Sequence, residues 1–311
     1  MPKSNSAPNA PSSGEEHWTS KNTGDGEVRL FMWRRPPAAG SPRLGTLLLI
    51  HGSSMSSAPS YDLQIPGRAS TMDWLSGRGF DCWCLDNEGY GRSSKHRPIN
   101  CDIPTGADDI FEAMKYIQGV TGEKNVHMYG TSSGGLKAAL FATRHPEMVA
   151  RLAVEAMVWK GTDSPTLAQR RKKLPEYLAN LRRPMAKKDI ESIFTRDHAN
   201  MADPAVVASF TKAVLALDES IPNGTYVDMC SKLPVVDPAA LDVPTLVLRG
   251  EHDGIASYRD VADFFDAIPN MDKQLVVLAG VAHGSLQGHN REVSFHVLHS
   301  FFTQPGAIKH D

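Results

Sequence analysis

The stretch Asn125–Pro146, "NVHMYGTSSGGLKAALFATRHP", decides how the whole chain is read. "NVHMYG" is a short apolar run of the length of a buried strand, whereas "SGGLKAALFATRHP" is long and rich in helix formers. Glycine, serine and threonine cluster in ordinary turns, so the small residues between the two halves mean little alone. Their flanks matter more: a strand here passes directly into a helix. Of the two adjacent serines only Ser132 has glycine at both −2 and +2, Gly130 and Gly134. A tight turn of this kind strains its central residue, and side chains two positions away would collide.

The same alternation extends outward. Upstream lie the strand-like runs "EVRLFMW", "LGTLLLIHG" and "FDCWCLD", with a short helix around Thr71–Gly77. "TGADDIFEAMKYIQGVTG" reads as an amphipathic helix with Ile110, Met114 and Ile117 on one face. Downstream, "ARLAVEAMV" returns as a strand. The rhythm then stops near Trp159, and helical patterns such as "TLAQRRKKLPEYLANL", "AKKDIESIFTRD" and "PAVVASFTKAVLALDE" fill the interval without a convincing strand. It resumes with "VPTLVLRGEHD", the helix "SYRDVADFFDAI", the strand "KQLVVLAGV" and the helix "EVSFHVLHSFF". Nearly all-apolar strands alternating with helices predict an α/β fold with a mostly parallel central sheet covered on both faces. The expected organisation is a core of residues 27–159 and 242–311 with a helical cap at 160–241. Residues 1–26, rich in Ser, Pro, Asn and Gly, are expected to form a disordered tail.

Composition narrows the function. A chain of 311 residues, 41% hydrophobic and 22% charged, can bury a large core. Its formal net charge of −2 offers no general attraction for nucleic acid or an anionic membrane, so a small-molecule partner is expected. Cys82, Cys84, Cys101 and Cys230 match neither a zinc site nor a redox pair, and Cys82 and Cys84 would share one strand face as small hydrophobes. No metal and no organic cofactor is expected. Few cysteines, no signal-peptide pattern and no run of about 18 apolar residues lead to the expectation of a cytoplasmic protein.

A strand, a G-x-S-x-G turn and a helix together form the setting in which a serine serves as nucleophile. A serine hydroxyl needs a base, normally a histidine oriented by a carboxylate, and with this elbow the order is serine, acid, histidine. "LRGEHDGIA" puts Asp253 just past one apolar strand and "LAGVAHGSL" puts His283 just past the next. All three fall at carboxyl ends of strands, where parallel sheets bind ligands. Ser133, opening the helix, has a backbone N–H placed to stabilise an oxyanion.

From about residue 27 to 303 the chain resembles the α/β-hydrolase superfamily. "HGSS", "DNEGYGRSS", "GTSSGG", "GEHDG" and "AGVAHG" occur in the family's order. The resemblance implies Ser132 as nucleophile, His283 as general base, Asp253 as orienting acid, and the N–H groups of Ser53 and Ser133 as oxyanion hole. Ser54 is the alternative to Ser53, and Glu155, ending "LAVEAM", the rival acid. Asp86, Gly89 and Gly91 in "DNEGYG" read as turn-shaping residues. Met55, Tyr61, Met157 and Trp159 flank the catalytic loops and are expected to line the pocket. "RRKK" at 170–173 reads as a solvated helix face, although a cap arginine is also a natural partner for a substrate carboxylate. The expected activity is cleavage of a small carboxylic ester through an acyl-enzyme. The alternatives are hydrolysis of a C–C bond in a β-diketone or ring-cleavage product, a lactonase or thioesterase, and, outside enzymes, a ligand receptor on the same fold.

Overall fold

A computed structural model describes residues 13–306. Its strands are β1 (Glu15–Thr23), β2 (Gly26–Arg35), β3 (Gly45–Ile50), β4 (Phe80–Leu85), β5 (Val126–Thr131), β6 (Val149–Glu155), β7 (Arg182–Pro184), β8 (Ser220–Pro222), β9 (Thr245–Gly250) and β10 (Lys273–Leu278). Eight of them form one sheet in the order β1-β2-β4-β3-β5-β6-β9-β10. From β4 to β10 every neighbouring pair is parallel, while β1 and β2 are antiparallel to each other and β2 to β4. The α/β fold with helices on both faces is therefore as the sequence predicts.

The helix Ile103–Thr121 shows how sequence fixes an element here. Asp102 caps its start by accepting the Thr105 amide at 3.0 Å, and Gly122, at φ +74°, ends it in the left-handed region. Its buried face, with Ile110, Met114 and Ile117, packs with the helix Ser133–Arg144 in one core layer. The opposite layer holds Trp74, Leu75, Phe295, Leu298 and both Cys82 and Cys84, which are free and fully buried. Asp81 lies inside β4 without water because Arg34 meets its carboxylate with two hydrogen bonds of 2.9 Å.

The expectation of a disordered tail over residues 1–26 is corrected for its described part. Residues Glu15–Thr23 form β1, turning into β2 through Gly24 and Asp25. This is an edge strand, held by its backbone ladder and by individual side-chain pairs rather than by an apolar face. His17 packs against Trp83, Trp18 against Phe31, and Lys21 bridges Glu88 at 2.9 Å and Asp109 at 2.6 Å. The two-residue Gly-Asp turn followed by Gly26, at φ +106°, was the available signal. Residues 1–12 lie outside the described residues.

Between β6 and β9 the insertion carries the helices Pro165–Arg171, Leu174–Ala179, Lys187–Glu191, Pro204–Leu215 and Gly224–Ser231. It also carries one ribbon the sequence did not predict, β7 paired antiparallel with β8, whose three-residue strands are too short to show alternation. Asp260 fastens the point where the insertion leaves the sheet: its carboxylate accepts the amides of Trp159, Lys160, Gly161 and Thr162 at 2.7–3.3 Å. A small apolar cluster of Ile190, Ile193, Phe194, Phe210 and Val214 seats the insertion on Leu63.

Candidate active site

β5 leads into the turn at Ser132, whose backbone adopts φ +56° and ψ −124°, a conformation rare for any residue but glycine. Its N–H donates to the Glu155 carbonyl at 2.7 Å, tying the turn to the end of β6. The two flanking glycines have steric causes. A Cβ on Gly130 would stand 2.4 Å from the Gly134 carbonyl oxygen, and one on Gly134 would stand 2.2 Å from that of Ile50 and 2.6 Å from that of His51. Helix and strand ends thus touch through backbone. Ser133, fully buried, begins the helix, so its N–H has no carbonyl one turn back to receive it.

The loop after β3 closes over this turn. Ser53 donates its hydroxyl to that of Ser133 at 2.7 Å, and the hydroxyls of Ser54 and Tyr226 lie 3.2 Å apart. His51 props the loop from beneath: its Nδ1 donates to the Gly52 carbonyl at 2.7 Å, and its Nε2 accepts the Asn87 amide at 3.1 Å. Burial, then the nearby Lys137 ammonium, pull the His51 imidazole well below its ordinary range, in keeping with a neutral ring. Asp86 receives the amides of Ser57 and Arg92 at 2.7 and 3.0 Å, and a Cβ on Gly91 would strike its carboxylate, so "DNEGYG" shapes a turn.

Asp253 follows β9 and His283 follows β10, and the structure brings them together: His283 Nδ1 lies 3.0 and 3.1 Å from the two carboxylate oxygens. Both residues are buried. Asp253 Oδ1 also accepts the amides of Ile255 at 2.8 Å and Ala256 at 3.0 Å. Burial pushes the Asp253 carboxyl up, but the imidazole beside it and these two amides outweigh burial and hold it below the usual carboxylate range. Glu155 has the opposite balance. Burial raises its carboxyl despite the hydrogen bond it accepts from Tyr129 at 2.6 Å, and it has no hydrogen bond to His283 among the described residues.

Ser132 and His283 line one cavity of about 80 Å³. Ser53, Ser54, Met55 and Tyr61 line it from the core, and Arg170, Ile193, Phe194, Arg196, Phe210 and Tyr226 from the insertion. Tyr61 is held by donating to the Ile50 carbonyl at 2.6 Å. Met157 and Trp159 are not among the lining residues. Met157 packs behind the elbow, where a Cβ on Gly135 would meet it at 3.1 Å, and Trp159 is edge-on to Phe264 with its indole N–H on the Val236 carbonyl at 3.1 Å. Both follow β6 and belong to the core layer with Val154 and Val158, and the Asp260 clamp on the Trp159 amide fixes the second of them there. Arg196 and Tyr226 were not assigned to the site from sequence, and Arg170 only as one of four basic residues read first as a solvated face, since these segments show polarity but not which face turns inward. Of "RRKK", residues 171–173 are exposed and Arg170 alone turns to the cavity. Among the described residues no group of three or more His, Cys, Asp or Glu side chains is placed to hold a metal, and no helix is long and apolar enough to cross a membrane.

Solved structures with this architecture include an esterase from Thermogutta terrifontis, 20% identical over 92% of this chain and 97% of that one, with a TM-score of 0.66. A bromoperoxidase from Bacillus anthracis is 17% identical over 93% of this chain and 100% of its own, with a TM-score of 0.69. An esterase from Exiguobacterium antarcticum is 19% identical over 93% and 100%, with a TM-score of 0.67. At these identities the likeness is one of fold. The sequence family described as serine aminopeptidase, S33, matches residues 45–289, the span that holds the elbow, the loop after β3, Asp253 and His283. The chain belongs to that family, and with it to the α/β-hydrolase superfamily.

Proposed function

We propose that the protein is a serine hydrolase that cleaves a small carboxylic ester through Ser132, His283 and Asp253. The observation that carries this reading is a strained serine sharing one cavity with a histidine whose far nitrogen is held by a buried carboxylate. In this mechanism His283 Nε2 takes the Ser132 proton as Oγ attacks the ester carbonyl. Asp253 keeps the proton on Nδ1 and stabilises the imidazolium that forms. The N–H groups of Ser133 and Ser53 receive the developing oxyanion, and the hydroxyl bond between these residues fixes their spacing. Collapse of the tetrahedral intermediate releases the alcohol, which takes the proton from His283. Water, activated by the same imidazole, then frees the acid. The chemistry needs neither metal nor organic cofactor.

In this reading residues 27–159 and 242–311 are the catalytic core and 160–241 the cap. An ester suits the cavity better than a peptide amino terminus. An aminopeptidase must hold a substrate ammonium, whereas the charged side chains that join His283 in this lining are Arg170 and Arg196.

The test is intact-mass detection of a fluorophosphonate adduct combined with turnover of an alkyl and aryl ester panel, including lactones, thioesters and β-diketones. Ser132→Ala should lose labelling and about 10⁶ in kcat. Ser133→Ala keeps its backbone N–H and loses only the 2.7 Å hydroxyl bond, so activity should fall by no more than roughly tenfold. Labelling that persists in Ser132→Ala but vanishes in Ser133→Ala would move the nucleophile by one residue. A wild-type protein that takes no label would leave the ligand-receptor reading in place of the enzyme.

A further inference from the structure

Three guanidinium groups, those of Arg170, Arg183 and Arg196, surround the Tyr226 phenol on the cap side of the cavity. Arg170 stands over the Tyr226 ring at 4.3 Å and Arg183 over the same ring at 3.7 Å. Arg183 spends its hydrogen bonds on neutral acceptors, the carbonyls of Pro222 and Ser53 and the Asn223 side chain at 2.7–3.1 Å. Arg170 has no ion pair among the described residues. Arg196 Nε lies 3.5 Å from Asp197 Oδ1 without hydrogen-bond geometry, so this buried atom has no hydrogen-bond acceptor. Asp253, the other carboxylate near Arg196, is committed to His283. None of the three guanidinium groups makes a hydrogen-bonded ion pair among the described residues.

Their crowding registers in their neighbours. Burial, then Arg170, pull the Arg196 guanidinium down from its ordinary value. Burial by itself would raise the Tyr226 phenol, yet Arg170 and Arg183, with the Ser54 hydroxyl and Arg196, outweigh it and bring it down to about 7. Leaving a buried donor such as the Arg196 Nε without an acceptor is costly, and this one stands on a residue that lines the cavity. Ile193, Phe194, Phe210 and Leu286 give the same cavity an apolar side.

We propose that Arg170 and Arg196, on the Tyr226 platform, form a subsite for a carboxylate borne by the substrate, so that the preferred ester is one carrying a free carboxylate. The subsite rests on the ester-hydrolase reading for its catalytic consequence but not for its binding. Two matched pairs test the first: monoethyl glutarate against ethyl valerate places the charge on the acyl side, and γ-acetoxybutyrate against butyl acetate places it on the alcohol side. The carboxylate-bearing member of at least one pair should have the higher kcat/KM by roughly tenfold or more. That ratio should collapse toward one in Arg170→Gln and in Arg196→Gln. Glutarate itself tests the second. At fixed ionic strength it should raise the Tm of the wild type, and less so or not at all in either variant. No turnover of any ester with glutarate stabilisation intact would sink the hydrolase reading and keep the subsite. A ratio near one in both pairs, together with no stabilisation by glutarate, would overturn the subsite while leaving ester hydrolysis standing.

Discussion

Replacing Gly134 by alanine tests whether the elbow's architecture is set by backbone contact. The new Cβ would lie 2.2 Å from the Ile50 carbonyl oxygen and 2.6 Å from that of His51, where a carbon–oxygen contact settles at about 3.3 Å or more. The helix start and the end of β3 must separate by roughly 1 Å. Neither side yields freely: the Ile50 carbonyl is also bonded to Tyr61 at 2.6 Å, and His51 is anchored through the Asn87 amide at 3.1 Å. Overpacking of this size costs about 1–3 kcal/mol, a loss of a few degrees in Tm. The catalytic cost should be larger in proportion. The two elements forced apart carry Ser132 with Ser133 on one side and the Gly52–Ser53 loop on the other, and a displacement near 1 Å at a reacting centre costs on the order of 10² in rate. Gly119→Ala serves as the control. It lies in the helix Ile103–Thr121 with open space around its would-be Cβ, so alanine there should stabilise by about 0.5–1 kcal/mol and leave turnover alone. Thermal unfolding and steady-state hydrolysis of one ester, measured on both variants, decide the matter. A Gly134→Ala protein with wild-type Tm and wild-type kcat would refute the argument that glycine is required by contact.

Two further outcomes follow from the site. Asp253→Asn should lower kcat by about 10⁴ with the fold retained, because Oδ1 stays on the Ile255 and Ala256 amides and the new NH₂ then faces His283 Nδ1, favouring the wrong tautomer. Glu155→Gln, which can keep its bond to Tyr129, should cost far less, and the reverse ranking in kcat would make Glu155 the orienting acid. Tyr226, faced by Arg170, Arg183, Arg196 and Tyr177, should show tyrosinate absorbance in the near ultraviolet with a midpoint of about 7. Because the folded value lies below the unfolded one of about 10, its stabilising contribution should be fully present above pH 10 and lost as pH falls through 7. The stability difference between wild type and Tyr226→Phe should therefore grow from pH 7 to 10, and a flat difference would contradict the arrangement.

The sequence alone determined the parts of this protein that repeat or punctuate locally. The nearly all-apolar runs of β3, β4, β5, β6 and β9, alternating with helical patterns, pointed to buried strands in a parallel sheet, and Gly130, Ser132 and Gly134 marked a strand-to-helix turn because such a turn has no room for a side chain two residues away. Asp253 and His283 were legible for a related reason: each stands one short turn past a strand, and parallel strands deliver their carboxyl ends to one edge. Of the edge strand β1 only the turn at Gly24–Gly26 left a signal, since the strand's stability comes from its ladder with β2 and from the pairing of Lys21 with Glu88 and Asp109, partners far away in sequence. The lining of the cavity was decided only in three dimensions. Proximity to a catalytic loop placed Met157 and Trp159 at the pocket, but Met157 packs against the helix start at Gly135 and Trp159 is clamped by Asp260, about a hundred residues on, so both lie in the core. Arg170 sits among four consecutive basic residues of which it alone turns to the cavity, and Arg196 and Tyr226 come from separate segments. Local periodicity specifies elements and their ends, whereas which side chains of an insertion meet the substrate depends on how that insertion is seated, through contacts such as those of Phe194, Phe210 and Leu63 that no local pattern encodes.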